Sequence, residues 1–310
     1  MSEFVKTPAG PAWYAELPQL GVLEIAGADA AKFLQGQATC DVLALTDELS
    51  SPGAFCTAQG RVLAVFRVLR RGDRFLLIMP QVLIPDIIQR LRMYVLRSAV
   101  TVADVSGDWQ CLGVCTRAAD GLAWLGTADK DAVALHDGWP VLAWPSVDSV
   151  RAMVLVQNDG PEAVREQLLN REYAALGAFH WQLEEIRAGV PWVLPGTVEE
   201  FIPQMLNLDR LGGIGFKKGC YTGQEVVART QYLGAVKRRM YRLELPAGSE
   251  PPAPGSRVLA QGEAQSVGTV VCAAAAPGAP AELLAVLIGE PAPEAALSVD
   301  GATAAVFELP

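Results

Sequence analysis

The spacing of apolar residues in the first hundred positions predicts alternating strands and helices. Gln19 to Ala26 carries a short apolar run that predicts a strand, and Asp29 is then the predicted N-cap of a short helix. A helix is predicted to begin near Pro85, and further strands are predicted around a turn at Ala58-Gln59-Gly60, over Arg74 to Met79 and over Val100 to Val105. This order of elements is typical of a ferredoxin-like α+β unit.

The middle of the chain predicts a second set of strands and helices. Residues 107 to 149 hold short apolar runs between Trp and Gly residues, which indicates strands and loops. A strand is predicted over Val150 to Val156, and helices over Pro161 to Leu169 and Tyr173 to Arg187. Pro191 to Gly215 holds three prolines and four glycines and predicts a long ordered loop, a kind of segment that is often functional.

The composition changes after Arg242, where Ala, Gly, Pro and Val dominate. Short strands such as Arg257 to Leu259, Val267 to Val271 and Leu283 to Ile288 predict a small all-β domain, which we interpret as a barrel. The predicted division is therefore an α+β region over residues 1–240, with two subdomains that interleave and divide near residues 110–150, and a C-terminal β-barrel over residues 241–310.

Charge and composition narrow the function classes. The 310 residues are 51% apolar and 19% charged, which is enough apolar material to build a core. The net charge is −9, and a surface this acidic repels phosphate backbones and anionic lipid. We therefore expect no direct binding to nucleic acid or to membranes. The N-terminal residues lack the pattern of a signal peptide, and no apolar run has the length of a membrane span, which predicts a cytoplasmic protein.

The cysteines and histidines do not predict a metal centre or a disulfide framework. Six cysteines are scattered along the chain, and only Cys111 and Cys115 are close together. The two histidines, His136 and His180, form no cluster, so no second pair of ligands completes a tetrahedral site with them. We expect no permanently bound metal.

A basic stretch around Cys220 is the strongest chemical signal. Residues 211–242 hold seven basic residues and one acidic residue, a local charge of +6, while the rest of the chain sums to −15. Such an island is a candidate seat for a small anion, although a solvated basic face remains an alternative. Lys217 and Lys218 precede Cys220, and a helix is predicted to follow it; both features stabilise a thiolate. Position alone, however, favours the alternative of a buried cysteine that acts as a small apolar residue.

The neighbours of Cys220 add two weaker signals. Gly219 and Gly223 permit a positive φ angle or the close approach of a ligand to the backbone, although such glycines also occur in ordinary turns. Tyr221 offers a ring face on which a flat heterocycle can stack, but tyrosines are more often plain core residues.

The octapeptide Lys218 to Glu225, Lys-Gly-Cys-Tyr-Thr-Gly-Gln-Glu, resembles the signature of the YgfZ/Iba57 family of folate-binding proteins. Four further segments are similar to that family: Phe201 to Asp209, Gly212-Gly213-Ile214, Arg187 to Pro191, and Phe33 to Gln37 with Asp41. The family is related to the T-protein of the glycine cleavage system. The resemblance therefore implies a three-lobed α+β fold around a central channel, with tetrahydrofolate in that channel.

The resemblance also implies a function and a set of site residues. Members of the family are associated with assembly or repair of iron–sulfur clusters, chiefly for enzymes such as tRNA methylthiolases, so that effects on tRNA are indirect and the partners are iron–sulfur proteins or assembly factors. Cys220 is the implied catalytic thiol, at the mouth of the folate channel. The implied folate-binding residues are Gln35, Gln37, Arg187, Lys218, Gly219, Tyr221, Gly223, Gln224, Glu225 and Arg229.

Two departures separate this chain from true aminomethyltransferases. Those enzymes carry an aspartate pair where this chain has Ala64 and Val65, and a pterin-binding glutamate where it has Arg187. Without these carboxylates, these positions offer no general acid or base to transfer a proton to or from a folate nitrogen. Arg187 is left with two possible roles, to bind an anion or to form an internal ion pair.

Three functions follow from these observations. The first is a folate-dependent accessory protein of iron–sulfur metabolism, in which Cys220 serves a partner, a cluster iron or a folate-borne carbon. The second is a folate-dependent aminomethyltransferase or demethylase, which a well-placed carboxylate in the channel would favour. The third is an interaction scaffold that has the fold but does not use folate.

Overall fold

The computed structural model describes residues 12–126, 129–234, 236–260, 265–291 and 296–310. The strands in these ranges are β1 (Ala12–Glu16), β2 (Leu20–Ala26), β3 (Ser50–Cys56), β4 (Val62–Arg71), β5 (Arg74–Pro80), β6 (Thr101–Asp104), β7 (Trp109–Thr116), β8 (Val133–His136), β9 (Trp139–Trp144), β10 (Val150–Gln157), β11 (Ala174–Ala175), β12 (Arg238–Ala247), β13 (Arg257–Ala260), β14 (Ser266–Ala275), β15 (Pro280–Ile288), β16 (Leu297–Val299) and β17 (Ala302–Phe307). The α-helices are α1 (Ala30–Gln35), α2 (Ile84–Val95), α3 (Pro161–Asn170), α4 (Ala178–Arg187) and α5 (Gln224–Leu233). Short 3-10 turns occupy Val42–Ala44, Gln81–Leu83, Ala123–Leu125, Pro195–Thr197 and Pro203–Leu206.

The first lobe is an antiparallel sheet with strand order β3-β4-β5-β2-β6. Without the edge strand β3, this is the order of a ferredoxin-like unit, so that prediction is confirmed with one strand added. The strand β4 is buried along its first eight residues, which explains its nearly continuous apolar sequence. The helices α1 and α2 supply further buried side chains, including Leu34 and Leu91.

The second lobe is a six-stranded sheet with order β11-β1-β7-β10-β9-β8. Its strand β1 comes from the start of the chain: Trp13 pairs with Ala174 in parallel, and Tyr14 pairs with Val114 in antiparallel. The helix α3 packs on one face of this sheet through Val164 and Leu168. The first lobe is therefore inserted, in sequence, between β1 and the rest of the second sheet.

The third lobe is a closed six-stranded barrel of order β12-β15-β14-β13-β16-β17. Pairing of Arg242 with Phe307 joins the last strand to the first and removes the free edges. The interior is filled by alternating apolar side chains such as Leu243, Val258 and Leu283.

One apolar core joins the three lobes. It includes Leu77 of the first lobe, Met153 of the second and Val271 of the barrel. The helix α4 lies between the second sheet and the barrel and packs against β1, β14 and β15. Because the lobes share a core, groups from all three are held at fixed positions where they meet.

One local prediction was wrong, and another was confirmed in position only. The helix predicted from Tyr173 begins only at Ala178, because Ala174 and Ala175 pair with β1 instead. Asp29 is the N-cap residue of α1, as predicted, but its carboxylate makes no capping bond and accepts from the backbone N–H of Ala99 at 2.8 Å. In the described ranges, no helix has the length and apolar character needed to cross a bilayer.

Candidate functional site

The ammonium group of Lys218 anchors the octapeptide loop to the end of α1. Its Nζ donates to the backbone carbonyl oxygens of Gln35, Ala38 and Cys40 at 2.7, 2.5 and 2.7 Å. These carbonyls lie at the C-terminus of α1 and just beyond it, where a positive charge also offsets the helix dipole. All three ammonium hydrogens are used inside the protein, which makes Lys218 an internal anchor of the loop.

The surroundings of Lys218 are buried. The side chain is only 8% exposed, and burial lowers its pKa from the ordinary 10.5 to about 8. Its Nζ lies 4.8 Å from the centroid of the Tyr221 ring, which is itself buried. Burial also raises the pKa of the Tyr221 phenol. Tyr221 is therefore packed beneath the loop, with the ammonium on its face.

Cys220 lies on the outer side of this anchored loop. Cys220 is exposed and free, and Lys217 and Gly219 beside it are exposed as well. A Cβ atom added at Gly219 would meet no heavy atom within 4 Å, so the space next to the thiol is open. The alternative of a buried, inert cysteine is thus excluded, and the sulfur is accessible to another molecule.

Further contacts explain two glutamines and one glycine of the predicted set. Gln35 is buried and its Oε1 accepts from the backbone N–H of Val42 at 2.8 Å, so it shapes the segment after α1. Gln37 accepts from the hydroxyl of Thr222 at 3.3 Å. Gly223 has a φ angle of +87°, and a Cβ atom there would lie only 2.5 Å from the backbone carbonyl oxygen of Thr57.

The helix α5 carries the remaining residues of the octapeptide and Arg229. Gln224 is its first residue and is half-buried, while Glu225 and Arg229 are exposed. The basic island is smaller at the surface than in the sequence, because Arg239 is paired with Asp209 at 2.7 Å.

Arg187 lies apart from the octapeptide, at the end of α4 against the barrel. Its Nη1 is 2.9 Å from a carboxylate oxygen of Glu184, and its Nη2 is 2.5 Å from one of Glu282. Burial acts to lower its pKa, but the carboxylates of Glu282 and Glu184 outweigh burial and leave the pKa raised. Of the two roles left open for Arg187, the structure displays the internal ion pair.

A cavity of about 510 Å³ lies where the three lobes meet. The first lobe contributes Leu20 and Gln81, the segment around α4 contributes Gln182 and Trp192, and the barrel contributes Cys272. Burial raises the pKa of the Cys272 thiol to about 12, so this sulfur is neutral. In the described part of the chain, none of the eleven predicted site residues is among those that line this cavity.

Glu185 is a cavity-lining carboxyl that sequence reasoning missed. It is 2% exposed, and burial raises its pKa to about 7, against the opposing effect of Arg151 and of three nearby indoles. The signal was present in the sequence: Glu185 follows Trp181 by four residues, so it falls on the buried face of α4. A charged residue on an apolar face marks a group that needs a partner. Ala64 and Val65, at the missing aspartate pair, are buried apolar residues of β4.

Comparison with known proteins gives a consistent assignment. No family model matches the chain. It is 33% identical over 231 residues to the tRNA-modifying protein YgfZ of Colwellia psychrerythraea, which covers 74% of this chain and 70% of the relative. It is 34% identical over 253 residues to the protein of the same name from Escherichia coli O157:H7, with 80% and 77% covered. It is 34% identical over 278 residues to the protein of that name from Cronobacter sakazakii, a match that covers 86% of this chain and 84% of the relative.

A solved structure supports the fold. Glycine cleavage system aminomethyltransferase T from Bartonella henselae superposes with a TM-score of 0.75 at 14% identity, over 97% of this chain and 86% of that one. This likeness confirms the predicted T-protein-like α+β fold with its C-terminal barrel. The family follows from the extent and identity of the sequence matches: the chain belongs to the YgfZ family.

Proposed function

We propose that this protein binds tetrahydrofolate and acts in the cytoplasm as an accessory protein of iron–sulfur cluster assembly or repair, in support of enzymes such as tRNA methylthiolases. The observation that carries the proposal is the cavity at the junction of the three lobes, because its volume of about 510 Å³ lies in the range typical of cofactor sites. Its walls are largely apolar, with a few polar groups, as a flat heterocycle requires.

The thiol of Cys220 serves a partner protein in this proposal. The loop that carries Cys220 is anchored from behind by Lys218, and the space beside Gly219 is open. The sulfur is exposed and is not among the groups that line the described cavity. In this proposal it therefore contacts the partner protein, or an iron of the partner's cluster, and not a carbon carried by folate.

Any effect on tRNA would be indirect. The relatives are named for tRNA modification, but this chain has a net charge of −9, and such a charge opposes binding to a phosphate backbone. The change in tRNA would therefore arise from the iron–sulfur enzyme that the protein supports.

Titration calorimetry with tetrahydrofolate on the pure protein tests the binding step. The proposal predicts saturable binding with one site per chain. Absence of heat or of tryptophan fluorescence change at high micromolar ligand would contradict it. Complementation in a bacterial strain that lacks its own YgfZ, with methylthiolated tRNA as the readout, tests the biological step.

One observation favours a second function, folate-dependent aminomethyl transfer or demethylation. Glu185 places a carboxyl at the cavity wall, and its pKa of about 7 suits a general acid or base. Formation of methylene-tetrahydrofolate from an aminomethyl donor with release of ammonia, or from an N-methyl donor in the presence of an added two-electron acceptor, would establish this reaction if it is lost in Glu185→Gln. No turnover with folate bound leaves the accessory role.

A further inference from the structure

The last turn of α2 presents apolar side chains to solvent. The inner face of this helix is buried through Ile84, Ile87 and Leu91, so its outward face is expected to be polar. Instead, Met93 is 62% exposed, and Leu96, which directly follows the helix, is 88% exposed. Single exposed apolar residues are normal, but apolar residues that share one exposed surface mark a place where another molecule binds.

The fold does not require a leucine at position 96. The φ angle of Leu96 is +44°, a left-handed conformation that glycine adopts without strain and leucine adopts only at a cost. Because the side chain is almost entirely exposed, burial in the core does not offset this cost. Contact with another molecule therefore explains this leucine better than packing within the chain does.

Three arginines lie on or just after the last two turns of α2. The guanidinium carbon of Arg90 is 5.8 Å from the centroid of the Tyr94 ring, and Arg92 and Arg97 are exposed. Among the described residues, none of the three forms an ion pair. The carboxylate of the helix, Asp86, lies in its first turn. This end of α2 is therefore locally positive on a protein with a net charge of −9.

Arg90 also connects this end of α2 to the loop that carries Cys220. Its Nη2 donates to the backbone carbonyl oxygen of Cys56, the last residue of β3, at 3.3 Å. The octapeptide packs against the same residue, since a Cβ atom added at Gly223 would lie 3.2 Å from the Cβ of Cys56. An interface of ordinary size, about 800 Å² on each partner, is wide enough to include both the helix end and the thiol.

We propose that the end of α2 docks the protein partner of Cys220, and that the partner's docking face is apolar at its centre and acidic at its rim. This inference rests on the proposed function, in which Cys220 serves an iron–sulfur protein. Met93, Tyr94 and Leu96 supply the apolar centre of the α2 docking surface, and Arg92 and Arg97 supply its cationic rim. Tyr, Met and Arg are residue types that are enriched at protein interfaces. A charged rim accelerates association and selects the partner.

Nucleic acid and anionic lipid fit the α2 docking surface less well than a protein does. Both extend a large negative surface toward a chain whose net charge is −9. A protein can confine its acidic residues to the area opposite the arginines. The most exposed side chains, Met93 and Leu96, are also not aromatic and provide no platform on which bases stack.

Binding of a purified tRNA methylthiolase, measured anaerobically by biolayer interferometry, tests the α2 docking surface. The double variant Met93→Asp with Leu96→Asp should raise the Kd at least about tenfold, because two carboxylates replace the apolar centre opposite an acidic rim. The matched control, Leu169→Asp with Val147→Asp, changes two exposed apolar residues of the second lobe. It carries the same net charge and should stay within about twofold of the wild type.

Two further variants separate docking from a defect in folding. Leu96→Gly suits the positive φ angle and removes only the side chain, so it should weaken binding about threefold or more without lowering the thermal unfolding midpoint. Arg97→Glu should weaken binding more at about 50 mM than at about 300 mM salt. Arg117→Glu, an exposed change of equal charge in the second lobe, should follow the wild type. Tetrahydrofolate affinity and the alkylation rate of Cys220 should be unchanged in every variant.

The outcomes distinguish the docking surface from the proposed function. Wild-type affinity for the methylthiolase in the double variant would overturn the docking surface, and so would a wild type that binds tetrahydrofolate and complements but does not bind the methylthiolase. A wild type that binds neither tetrahydrofolate nor the methylthiolase would overturn the proposed function as well. Binding of unmodified tRNA, or of vesicles of phosphatidylglycerol and phosphatidylcholine, that is lost in the double variant would assign the surface to RNA or lipid instead.

Discussion

The anchored loop and the lobe-junction cavity differ in how their buried polar groups are satisfied. In the loop, Lys218 uses all three ammonium hydrogens on backbone carbonyls, and the thiol of Cys220 is exposed. In the cavity, Glu185 and Trp192 are buried with atoms that have no hydrogen-bond partner among the described residues. The loop is therefore held from inside and presents a thiol, whereas the cavity offers an enclosed volume of about 510 Å³ in which a ligand can bind.

The largest expected effect comes from removing the thiol. Cys220→Ala should abolish complementation, because the proposed chemistry with the partner requires the sulfur. Since Cys220 is exposed and does not line the cavity, folate affinity and the thermal unfolding midpoint should stay within error of the wild type. Full complementation by the variant would show that the thiol is not part of the mechanism. Loss of folate binding would show that Cys220 contributes to the folate site.

The next effect tests the anchor. Lys218→Met leaves three carbonyl oxygens without their donor and should lower the free energy of unfolding by about 2–4 kcal/mol. Lys217→Met, at the exposed neighbouring position, should change it by less than about 0.5 kcal/mol. Urea denaturation of both variants measures the contrast; equal effects would show that the anchor does not hold the loop.

A substitution that fills the cavity should weaken folate binding and leave the loop that carries Cys220 unchanged. Ala273 of β14 lines the cavity, and Ala273→Phe should weaken tetrahydrofolate binding at least about tenfold because the added ring occupies the ligand's volume. Thr269→Phe, on the same strand but outside the lining, is the control. The rate at which Cys220 reacts with iodoacetamide should be unchanged in both variants. Unaltered binding in Ala273→Phe would place the folate elsewhere.

The smallest effect concerns Arg187. Arg187→Met removes one partner of the buried carboxylate of Glu282, which keeps Arg242 at 2.8 Å, so we expect a loss of only about 1–2 kcal/mol in the free energy of unfolding. Folate affinity should be retained. A large loss of affinity with little loss of stability would favour the anion-binding role instead.

The sequence predicted the loop better than the cavity, for a physical reason. Lys218, Cys220 and Gly223 are close together in the chain and form a recognisable signature, and most of the strands of the first lobe and barrel follow from local apolar patterns. That Lys218 points inward depends on carbonyls 178 to 183 residues away, which no local pattern reveals.

The cavity could not be predicted because its polar groups come from distant segments. Gln19, Glu185 and Cys272 belong to different lobes or their junction and meet only after folding. Of these three residues, only Glu185 could be noticed in the sequence, as a charged residue on the buried face of α4. Similarly, the predicted start of α4 at Tyr173 failed because pairing with β1, far away in the sequence, overrides the local helical pattern.

The separation of the two regions is tested most directly by the alkylation rate of Cys220 with and without saturating tetrahydrofolate, followed by peptide mass spectrometry. Saturation is verified by calorimetry on the same samples. Because Cys220 is exposed and lies outside the cavity lining, the two alkylation rates should agree within about twofold. Protection of Cys220 by more than about tenfold would show that the thiol contacts folate and would contradict the two-region account.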